Sequence, residues 1–219
     1  MEETSLKGIF IQAGKLYTRT HPQARGIKIY NEHLRTINST EYRSWNPYRS
    51  KLAAALLNDL DLEIHPSFHL LYLGAANGTT VSHLSDLLVD GMIYAVEQSP
   101  LAAKDLVSVA TNRPNIIPLL ADANHSDRYK SLVSPVDIVY QDISQRNQAE
   151  IFLENMQQFL KPNGYGICMI KARSIDVSLP PAEAYQQVEH YLLNHEYAIQ
   201  SRISLDPYEK DHAALVVKK

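Results

Sequence analysis

The spacing of hydrophobic and polar residues divides the chain into two regions. Up to about residue 45 the chain has short alternating segments, GIFIQ, KLYTR, GIKIY and HLRTI, each bounded by Gly, Pro, Asn or Thr. Segments of this kind predict short antiparallel strands. Residues 1–45 are therefore expected to form a small β-rich N-terminal subdomain.

The region from residue 46 alternates between helical and strand patterns. In NPYRSKLAAALLNDL, residues 46–60, apolar residues recur at helical spacing, and Pro47 suits a helix start. Continuous apolar runs predict buried parallel strands at 69–74, 92–97, 116–121, 136–141 and 165–171. Amphipathic stretches predict helices near 80–89, 101–111, 149–160 and 181–194.

Strands that alternate with helices imply a doubly wound α/β fold. The last two segments, YAIQSRISL and HAALVVKK, predict a hairpin, because only the short charged stretch DPYEKD separates them. One edge of the sheet is therefore expected to be antiparallel. Residues 46–219 are expected to form one domain around a seven-stranded, mostly parallel sheet.

Composition and charge limit the classes of protein to consider. The single Cys among 219 residues excludes an internal disulfide framework, so we expect a reducing, cytoplasmic location. No apolar run approaches the roughly 20 residues needed to cross a bilayer, and MEETSLKGIF does not resemble a signal peptide. Residues 1–51 carry nine Lys/Arg and four Asp/Glu, a balance of +5 in a chain of net charge −3. This basic quarter is either an ordinary solvated surface or part of a docking edge for a polyanion.

The segment HLLYLGAANGTTVSHLSDLL joins a predicted strand to a predicted helix through a turn of small residues. Ligands of open α/β sheets bind at the carboxyl ends of the strands, where Gly74 and Gly78 lie. Ala76 stands where a dinucleotide fingerprint has its second Gly, and no G-K-[ST] follows. The turn therefore favours a cofactor without phosphate, held by small residues and by the hydroxyls of Thr79 and Thr80.

Three consecutive predicted strands end in carboxylates. Glu97 lies 23 residues after Gly74 and suits ribose hydroxyls, Asp122 suits an adenine amino group, and Asp142 ends the fourth strand. Each acid alone is as consistent with ordinary helix capping. Together with the small-residue turn they favour S-adenosylmethionine, a nucleoside with a positively charged appendage.

Lys171 ends the fifth predicted strand, after an apolar run. A lysine there is costly to bury unless it is paired, and Asp142 is the expected partner. The pair is either an ordinary ion pair at the sheet edge or a device that helps a hydroxyl nucleophile lose its proton. Taken alone, Lys51 is an ordinary surface lysine and His212 an ordinary loop histidine.

Other catalytic patterns are absent from the sequence. The nine histidines and one cysteine do not form a metal-binding motif, so no metal site is expected, and no G-x-S-x-G elbow is present. The aromatic rings of Tyr17, Trp45 and Tyr48 could stack on nucleic-acid bases. Packing in the core is the ordinary role for each of them.

Several of these motifs together strongly resemble the fibrillarin family in its archaeal-type form. They are EYRSWNPYRSKLAAAL, LYLGAANGTTVSHLSDL, GMIYAVEQSP, NIIPLLADAN, VDIVYQDISQRNQAEIFLENMQQFLKPNGYGICMIKARSIDV and DPYEKDHAALVV. The resemblance extends from about residue 8 to the last residue, in order and spacing. It implies a Rossmann-like class I methyltransferase fold.

The resemblance also implies an activity, a site and partners. The activity is transfer of a methyl group from S-adenosylmethionine to ribose 2′-hydroxyls of rRNA and tRNA, directed by a guide RNA in a box C/D ribonucleoprotein particle. The implied partners are the guide and target RNAs, a coiled-coil scaffold protein and a kink-turn-binding protein. The catalytic set falls on Lys51, Asp142, Lys171 and His212. The cofactor-binding set falls on Gly74, Ala75, Thr79, Thr80, Glu97, Gln98, Asp122, Ala123, Asp142, Ile143, Ser144 and Gln145.

Two other hypotheses remain open at this point. The fold could serve a methyltransferase with a non-RNA acceptor, because a fold does not determine the substrate. Alternatively, the chain could be a scaffold subunit without activity. The presence of Lys171 and Asp142 argues against the inactive scaffold, and the full Lys-Asp-Lys-His set argues against acceptors that need no help in losing a proton.

Overall fold

The N-terminal part of the chain forms an antiparallel sheet. The computed structural model describes all residues, Met1–Lys219. The strands of this sheet are β1 (Glu2–Glu3), β2 (Ile9–Gln12), β3 (Lys15–Arg19), β4 (Leu34–Ile37) and β5 (Thr40–Trp45). They lie in the order β1-β2-β3-β5-β4. The boundary at residue 45 between two domains stays a prediction.

Three of the four strands predicted in this region are confirmed, and GIKIY is wrong. Residues 26–30 form no strand, because three of their backbone N–H groups bind carboxylates instead of a neighbouring strand. The N–H of Gly26 donates to Glu41, and those of Ile29 and Tyr30 donate to Glu32 at 2.8 and 2.7 Å. The sequence pattern also missed β1 and β5.

The rest of the chain builds the predicted seven-stranded sheet with helices on both faces. Its elements are α1 (Lys51–Leu57), β6 (His69–Leu73), α2 (Thr79–Leu87), β7 (Met92–Glu97), α3 (Pro100–Ala110), β8 (Ile116–Leu120), β9 (Val136–Gln141), α4 (Gln148–Phe159), β10 (Leu160–Lys171), α5 (Ala172–Ile175), α6 (Pro181–Leu193), β11 (Ala198–Ser204) and β12 (His212–Lys218). The strand order is β11-β12-β10-β9-β6-β7-β8. The strands from β6 to β10 pair in parallel, and β12 pairs antiparallel with both β10 and β11. The mostly parallel sheet with an antiparallel edge is confirmed.

The sheet is buried on both faces, which explains why its strands have continuous apolar runs. Alternate residues of β6 enter different cores. Leu70 and Tyr72 belong to a cluster of 28 buried residues on one face, and Leu71 and Leu73 belong to a cluster of 24 on the other. No helix combines the length and the apolar character needed to cross a bilayer.

Helix α1 is shorter than predicted. It begins at Lys51 and not at Pro47, because the hydroxyl of Ser50 accepts the N–H of Ala53 and caps the helix there. Pro47 lies in a turn in which the side chain of Asn46 accepts the N–H of Tyr48 at 2.9 Å. The late start places Lys51 in the first turn, next to the central strands.

A buried ionic network attaches the N-terminal sheet to α2. Asp86 accepts from Arg43 at 2.8 Å and from Arg113 at 2.7 Å, and Arg43 also pairs with Glu32 at 2.8 Å. All four side chains are fully buried. Two guanidinium groups and two carboxylates balance to zero charge, which is the condition under which buried charges are tolerated.

A neutral histidine extends this network towards the surface. The hydroxyl of Thr18 donates to Asp86 at 2.7 Å, so the Nδ1–H of His83 donates to the same hydroxyl at 2.8 Å. The phenol of Tyr30 then donates to Nε2 of His83 at 2.7 Å. The indole of Trp45 stacks on the imidazole with ring centres 4.8 Å apart. Burial, followed by the charges of the two nearby arginines, holds the pKa of His83 well below 6.5.

Candidate active site

The site lies where the strand order reverses, beside the central pair β6 and β9. The chain turns away from β6 at Gly74, which has a φ of +80°. A Cβ atom at Gly74 would lie 2.5 Å from the carbonyl oxygen of Asp142. Only glycine therefore allows the ends of β6 and β9 to approach this closely. The approach brings the turn after β6 against the carboxylate that follows β9.

Two lysines converge on Asp142. The Nζ atom of Lys171 lies 2.9 Å from Oδ1 of Asp142, and that of Lys51 lies 3.4 Å from the same oxygen. The Nζ atom of Lys171 also donates to Oγ of Ser144 at 2.7 Å. The three charged side chains are 14–17% exposed, so they are largely buried but open to a ligand. The cluster carries a net charge of +1.

The backbone of Lys171 is held on both sides. Pairing between β9 and β10 ends at Gln141 and Cys168, so Lys171 has no strand neighbour on that side. The side chain of Gln148 takes the place of a strand neighbour. Its amide oxygen accepts the N–H of Lys171 at 3.0 Å, and its amide nitrogen donates to the carbonyl of Lys171 at 3.3 Å. Gln148 is buried and belongs to the first turn of α4.

His212 lies opposite Lys171 in the antiparallel pair of β10 and β12. Residues directly opposite in such a pair point to the same face of the sheet. The Nδ1 atom of His212 lies 2.6 Å from the carbonyl oxygen of Lys210. Because a carbonyl oxygen only accepts, Nδ1 donates its N–H in this bond, and Nε2 has no hydrogen-bond partner within the protein.

Two neighbouring cavities open from this cluster. The first, which we call the carboxylate cavity, has a volume of about 280 Å³. It contains the predicted cofactor residues Gly74, Glu97, Gln98, Asp122, Ala123, Asp142, Ile143, Ser144 and Gln145. The second, the lysine cavity, measures about 440 Å³ and contains Lys51, Ala75, Thr79 and Thr80. Gly74, Asp142 and Lys171 line both cavities, whereas His212 lines neither.

The carboxylates of the carboxylate cavity use some of their lone pairs in hydrogen bonds within the protein. Glu97 accepts the N–H groups of Ala76 at 2.8 Å and Ser99 at 2.7 Å, and its remaining lone pairs are free for a ligand. Hydrogen bonds from the side-chain amide and the backbone N–H of Asn124 lower the pKa of Asp122, which is therefore ionised at neutral pH. All of these bonds to Asp122 fall on Oδ1, so Oδ2 is left to accept from a ligand.

Sequence reasoning missed Asn124 and Gln148. Asn124 bonds to Asp122 and, at 2.8 Å, to Oε1 of Gln145, so it fixes one wall of the carboxylate cavity. Its position two residues after Asp122 is typical of an Asx turn and could have identified it. No local signal marks Gln148, because its role depends on where the pairing of two distant strands ends.

The threonine hydroxyls of the lysine cavity bond within the protein. The hydroxyl of Thr80 donates to Oγ of Ser50 at 3.0 Å and so connects α2 to the residue that caps α1. That of Thr79 donates to the side-chain oxygen of Asn77 at 3.3 Å. Burial, followed by the charge of Asp142, raises the pKa of Tyr72 in the same wall, so this phenol stays neutral. No group of three His, Cys, Asp or Glu side chains is arranged to hold a metal ion.

The whole chain matches the sequence pattern of one protein family. The model of the family described as Fibrillarin covers residues 1–219. The chain belongs to the fibrillarin family. A relative from Thermococcus sibiricus, named fibrillarin-like rRNA/tRNA 2′-O-methyltransferase, is 46% identical over 196 residues, which cover 89% of this chain and 86% of the relative.

Two solved fibrillarin structures share the fold described above. Aeropyrum pernix fibrillarin, in complex with natively bound S-adenosyl-L-methionine, has a TM-score of 0.86 and 41% identity, with 93% of this chain and 89% of that chain covered. A chain of a fibrillarin/Nop5p complex has a TM-score of 0.90 and 38% identity, with 100% of both chains covered. The predicted family and fold are therefore confirmed.

Proposed function

We propose that this chain is an RNA 2′-O-methyltransferase, which transfers a methyl group from S-adenosylmethionine to ribose 2′-hydroxyls of rRNA and tRNA. The observation that carries the proposal is the Lys51–Asp142–Lys171 cluster, which lies where the two cavities meet. Family membership and the name of the Thermococcus sibiricus relative support it.

The residues of the carboxylate cavity fit the cofactor by their chemistry. Glu97 has free lone pairs for the ribose hydroxyls, and Oδ2 of Asp122 is free for the adenine amino group. Asp142 supplies a negative charge on the side where the sulfonium would lie. The Aeropyrum pernix relative with its bound S-adenosyl-L-methionine supports the same assignment.

Lys171 is the residue to which we assign the main catalytic role. S-adenosylmethionine supplies, when bound, a methyl group that is already activated for transfer. An ammonium has three N–H donors, and Lys171 uses one of them in a hydrogen bond to Ser144. With Asp142 it forms an ion pair at 2.9 Å that lacks hydrogen-bond geometry. A remaining N–H can therefore bond to the acceptor 2′-oxygen and stabilise the negative charge that develops as its proton is lost. Because the Nζ atom of Lys171 lies 2.9 Å from the carboxylate of Asp142 and bonds to Ser144, we assign it an electrostatic role, with the proton of the 2′-hydroxyl passing to solvent.

The other members of the set position the acceptor and Lys171. Asp142 orients Lys171, and Lys51 adds a second positive charge beside the acceptor ribose. His212 shares the face of Lys171, and its free Nε2 can accept a hydrogen bond from the ribose. In-line placement of the two reactants is the remaining contribution of the site.

We propose that a box C/D guide RNA selects the target nucleotide within a ribonucleoprotein particle. With a net charge of −3, the chain has few positive charges to spare for binding RNA alone, because phosphate contacts dominate such binding. The relative in complex with Nop5p supports a coiled-coil scaffold partner. A kink-turn-binding protein completes the proposed particle.

Methyl transfer from labelled S-adenosylmethionine to a guided target RNA tests the function. The reaction would be run with the assembled particle, once with the natural target and once with a 2′-deoxy residue at the acceptor position. We expect label only in the natural target. Label in both RNAs would place the methyl elsewhere, and cofactor binding without any label in RNA would indicate another acceptor or an inactive scaffold.

A further inference from the structure

Lys171 and His212 form the last pair of the antiparallel ladder between β10 and β12. One position further on, the N–H of Ala172 donates to the carbonyl of Asp211 at 3.1 Å. Hydrogen-bonded and non-hydrogen-bonded pairs alternate in such a ladder, so Lys171 and His212 do not bond to each other through their backbones. Their alignment therefore depends on the neighbouring pairs, and the pair of Ala172 and Asp211 lies at the end of the ladder.

The loop before β12 orients the imidazole of His212. The Nδ1–H of the ring donates to the carbonyl of Lys210 at 2.6 Å. The direction of that carbonyl is set by the φ angle of the next residue, Asp211, which is +58°. Residues other than glycine rarely adopt a positive φ. With a negative φ at Asp211 the carbonyl of Lys210 would turn away, and the imidazole would lose its acceptor.

The side chain of Arg173 holds Asp211 in place. Arg173 belongs to α5, two residues after Lys171. Its Nε donates to Oδ2 of Asp211 at 2.8 Å, and its Nη1 donates to the carbonyl of Val177 at 3.0 Å. A guanidinium is planar and its donors are fixed relative to one another, so the second bond fixes the direction of the first. Asp211 is therefore held both by its backbone carbonyl and by its carboxylate.

The ion pair between Arg173 and Asp211 is largely open to solvent. The two side chains are 54% and 35% exposed, and ion pairs in such positions contribute little to stability. The main effect of the pair is therefore local, on the rare conformation of Asp211. A second exposed pair, between Arg202 of β11 and Glu189 of α6 at 3.0 Å, has no proposed catalytic residue as a partner. It provides the matched control.

We propose that Arg173 positions His212 for methyl transfer, by holding Asp211 in the conformation that orients the imidazole. Arg173 acts through Asp211 and the carbonyl of Lys210, and it does not need to touch the substrate. The imidazole is then held on the face of the sheet that also carries Lys171, where the acceptor ribose would bind. The inference rests on the proposed RNA 2′-O-methyltransferase function.

NMR of the full free chain tests the geometry without any reaction. Long-range ¹H–¹⁵N spectra show which ring nitrogen of a neutral imidazole carries the proton, and His212→Gln identifies the signals of His212 among the nine histidines. At about pH 8 we expect the Nδ1–H form in the wild-type protein and in Arg202→Ala. Arg173→Ala should shift the signals of His212 towards the average of the two neutral forms. Unchanged signals in Arg173→Ala would overturn the proposed role.

A double-mutant cycle in the assembled particle tests whether this position matters for the reaction. Arg173→Ala should lower kcat for guided methyl transfer about tenfold, with the KM for S-adenosylmethionine unchanged. In a His212→Ala background the same substitution should lower kcat by less than about twofold, because the residue that Arg173 positions is already absent. Two losses that multiply would show that Arg173 acts independently of His212, and the proposed role would be wrong.

Variants of Asp211 separate positioning from a general effect on folding. Asp211→Asn keeps an oxygen that accepts from Arg173 and a residue type that tolerates a positive φ, so it should retain at least about half of kcat. Asp211→Ala loses both properties and should lose as much activity as Arg173→Ala. The melting temperature of Arg173→Ala should lie within about 4 °C of the wild-type value, because the ion pair is exposed.

The outcomes distinguish this inference from the function on which it rests. If the wild-type particle methylates the guided 2′-hydroxyl and Arg173→Ala keeps kcat within about twofold, the positioning role is wrong and the function stands. If the wild-type particle methylates no RNA, the proposed function itself fails, whereas the NMR spectra still decide whether Arg173 orients His212.

Discussion

Asp86→Asn tests how the N-terminal sheet is attached to the methyltransferase fold. The substitution keeps the shape of the side chain and removes one negative charge. In the wild-type protein Asp86 accepts from two guanidinium groups, from the hydroxyl of Thr18 and from the N–H of His21, at 2.7–2.8 Å. In the variant Arg43 keeps its ion pair with Glu32 and Arg113 loses its carboxylate partner, so a fully buried net charge of +1 is left.

The size of the effect follows from burial. Removing one partner of a buried ion pair destabilises a protein by about 3–5 kcal/mol. The paired side chains have no exposed surface, so solvent does not weaken the interaction. A loss of about 4 kcal/mol corresponds to a melting temperature lower by about 8–16 °C in a chain of this size. The double variant Asp86→Asn/Arg113→Met removes both charges and should recover at least half of the loss.

Urea unfolding followed by circular dichroism measures these differences. Asp105→Asn, an exposed acid on α3, is the matched control and should change the free energy of unfolding by less than about 0.5 kcal/mol. A loss below about 1 kcal/mol for Asp86→Asn would refute the reasoning. So would a double variant that is less stable than the single variant, because the charge balance would then not be the cause.

Three further predictions concern pH, the position of Lys171 and the turn after β6. The free energy of unfolding should fall as the pH is lowered below about 6.5, because the unfolded state protonates the imidazole of His83 before the folded state does. Thermal melts at pH 7 and pH 5 check this. His83→Gln should reduce the dependence of the melting temperature on pH. Gln148→Ala removes the two hydrogen bonds that hold the backbone of Lys171 and should lower kcat about tenfold or more with little change in cofactor affinity. Single-turnover methyl transfer and calorimetry measure these two quantities. An unchanged kcat would contradict this role of Gln148. Gly74→Ala should weaken cofactor binding and destabilise the chain by about 1–3 kcal/mol, because the Cβ of the alanine would collide with the carbonyl of Asp142 at an unfavourable φ. Calorimetry measures the binding. Equal cofactor affinity of the wild-type protein and the variant would contradict the predicted effect on binding.

The features that follow from periodicity could be predicted from the sequence. Continuous apolar runs identified the parallel strands, and parallel strands bring their carboxyl ends to one edge. Glu97, Asp122 and Asp142 therefore had to lie near one another, as they do around the carboxylate cavity. The short connection before His212 likewise predicted the antiparallel hairpin.

The features that depend on competition for hydrogen bonds could not be predicted. GIKIY has a strand pattern, but Glu32 and Glu41 bind the N–H groups that a neighbouring strand would need. NPYRSKLAAAL has a helical period, but Ser50 fixes the first turn four residues later than expected at Lys51. In both segments a nearby side chain outweighs the local preference of the backbone.

The contacts between distant segments also escaped local reasoning. Lys51 looks like a surface lysine until α1 is placed against the end of β9, where it meets Asp142. Tyr48 was one of three aromatic candidates, and only the fold shows that Trp45 is 1% and Tyr17 is 6% exposed while Tyr48 is 65% exposed.

The most direct test of the central claim compares two lysines of the same strand. Lys171 pairs with Asp142 at 2.9 Å at one end of β10, and Lys161 pairs with Asp137 at 2.9 Å near the other end. Lys171→Ala and Lys161→Ala would be assayed in the assembled particle for methyl transfer to the guided 2′-hydroxyl and for binding of S-adenosylmethionine. We expect Lys171→Ala to lose at least about 100-fold in rate with cofactor binding nearly intact, and Lys161→Ala to keep its rate. Near wild-type turnover by Lys171→Ala would contradict the assignment of this lysine to the reaction.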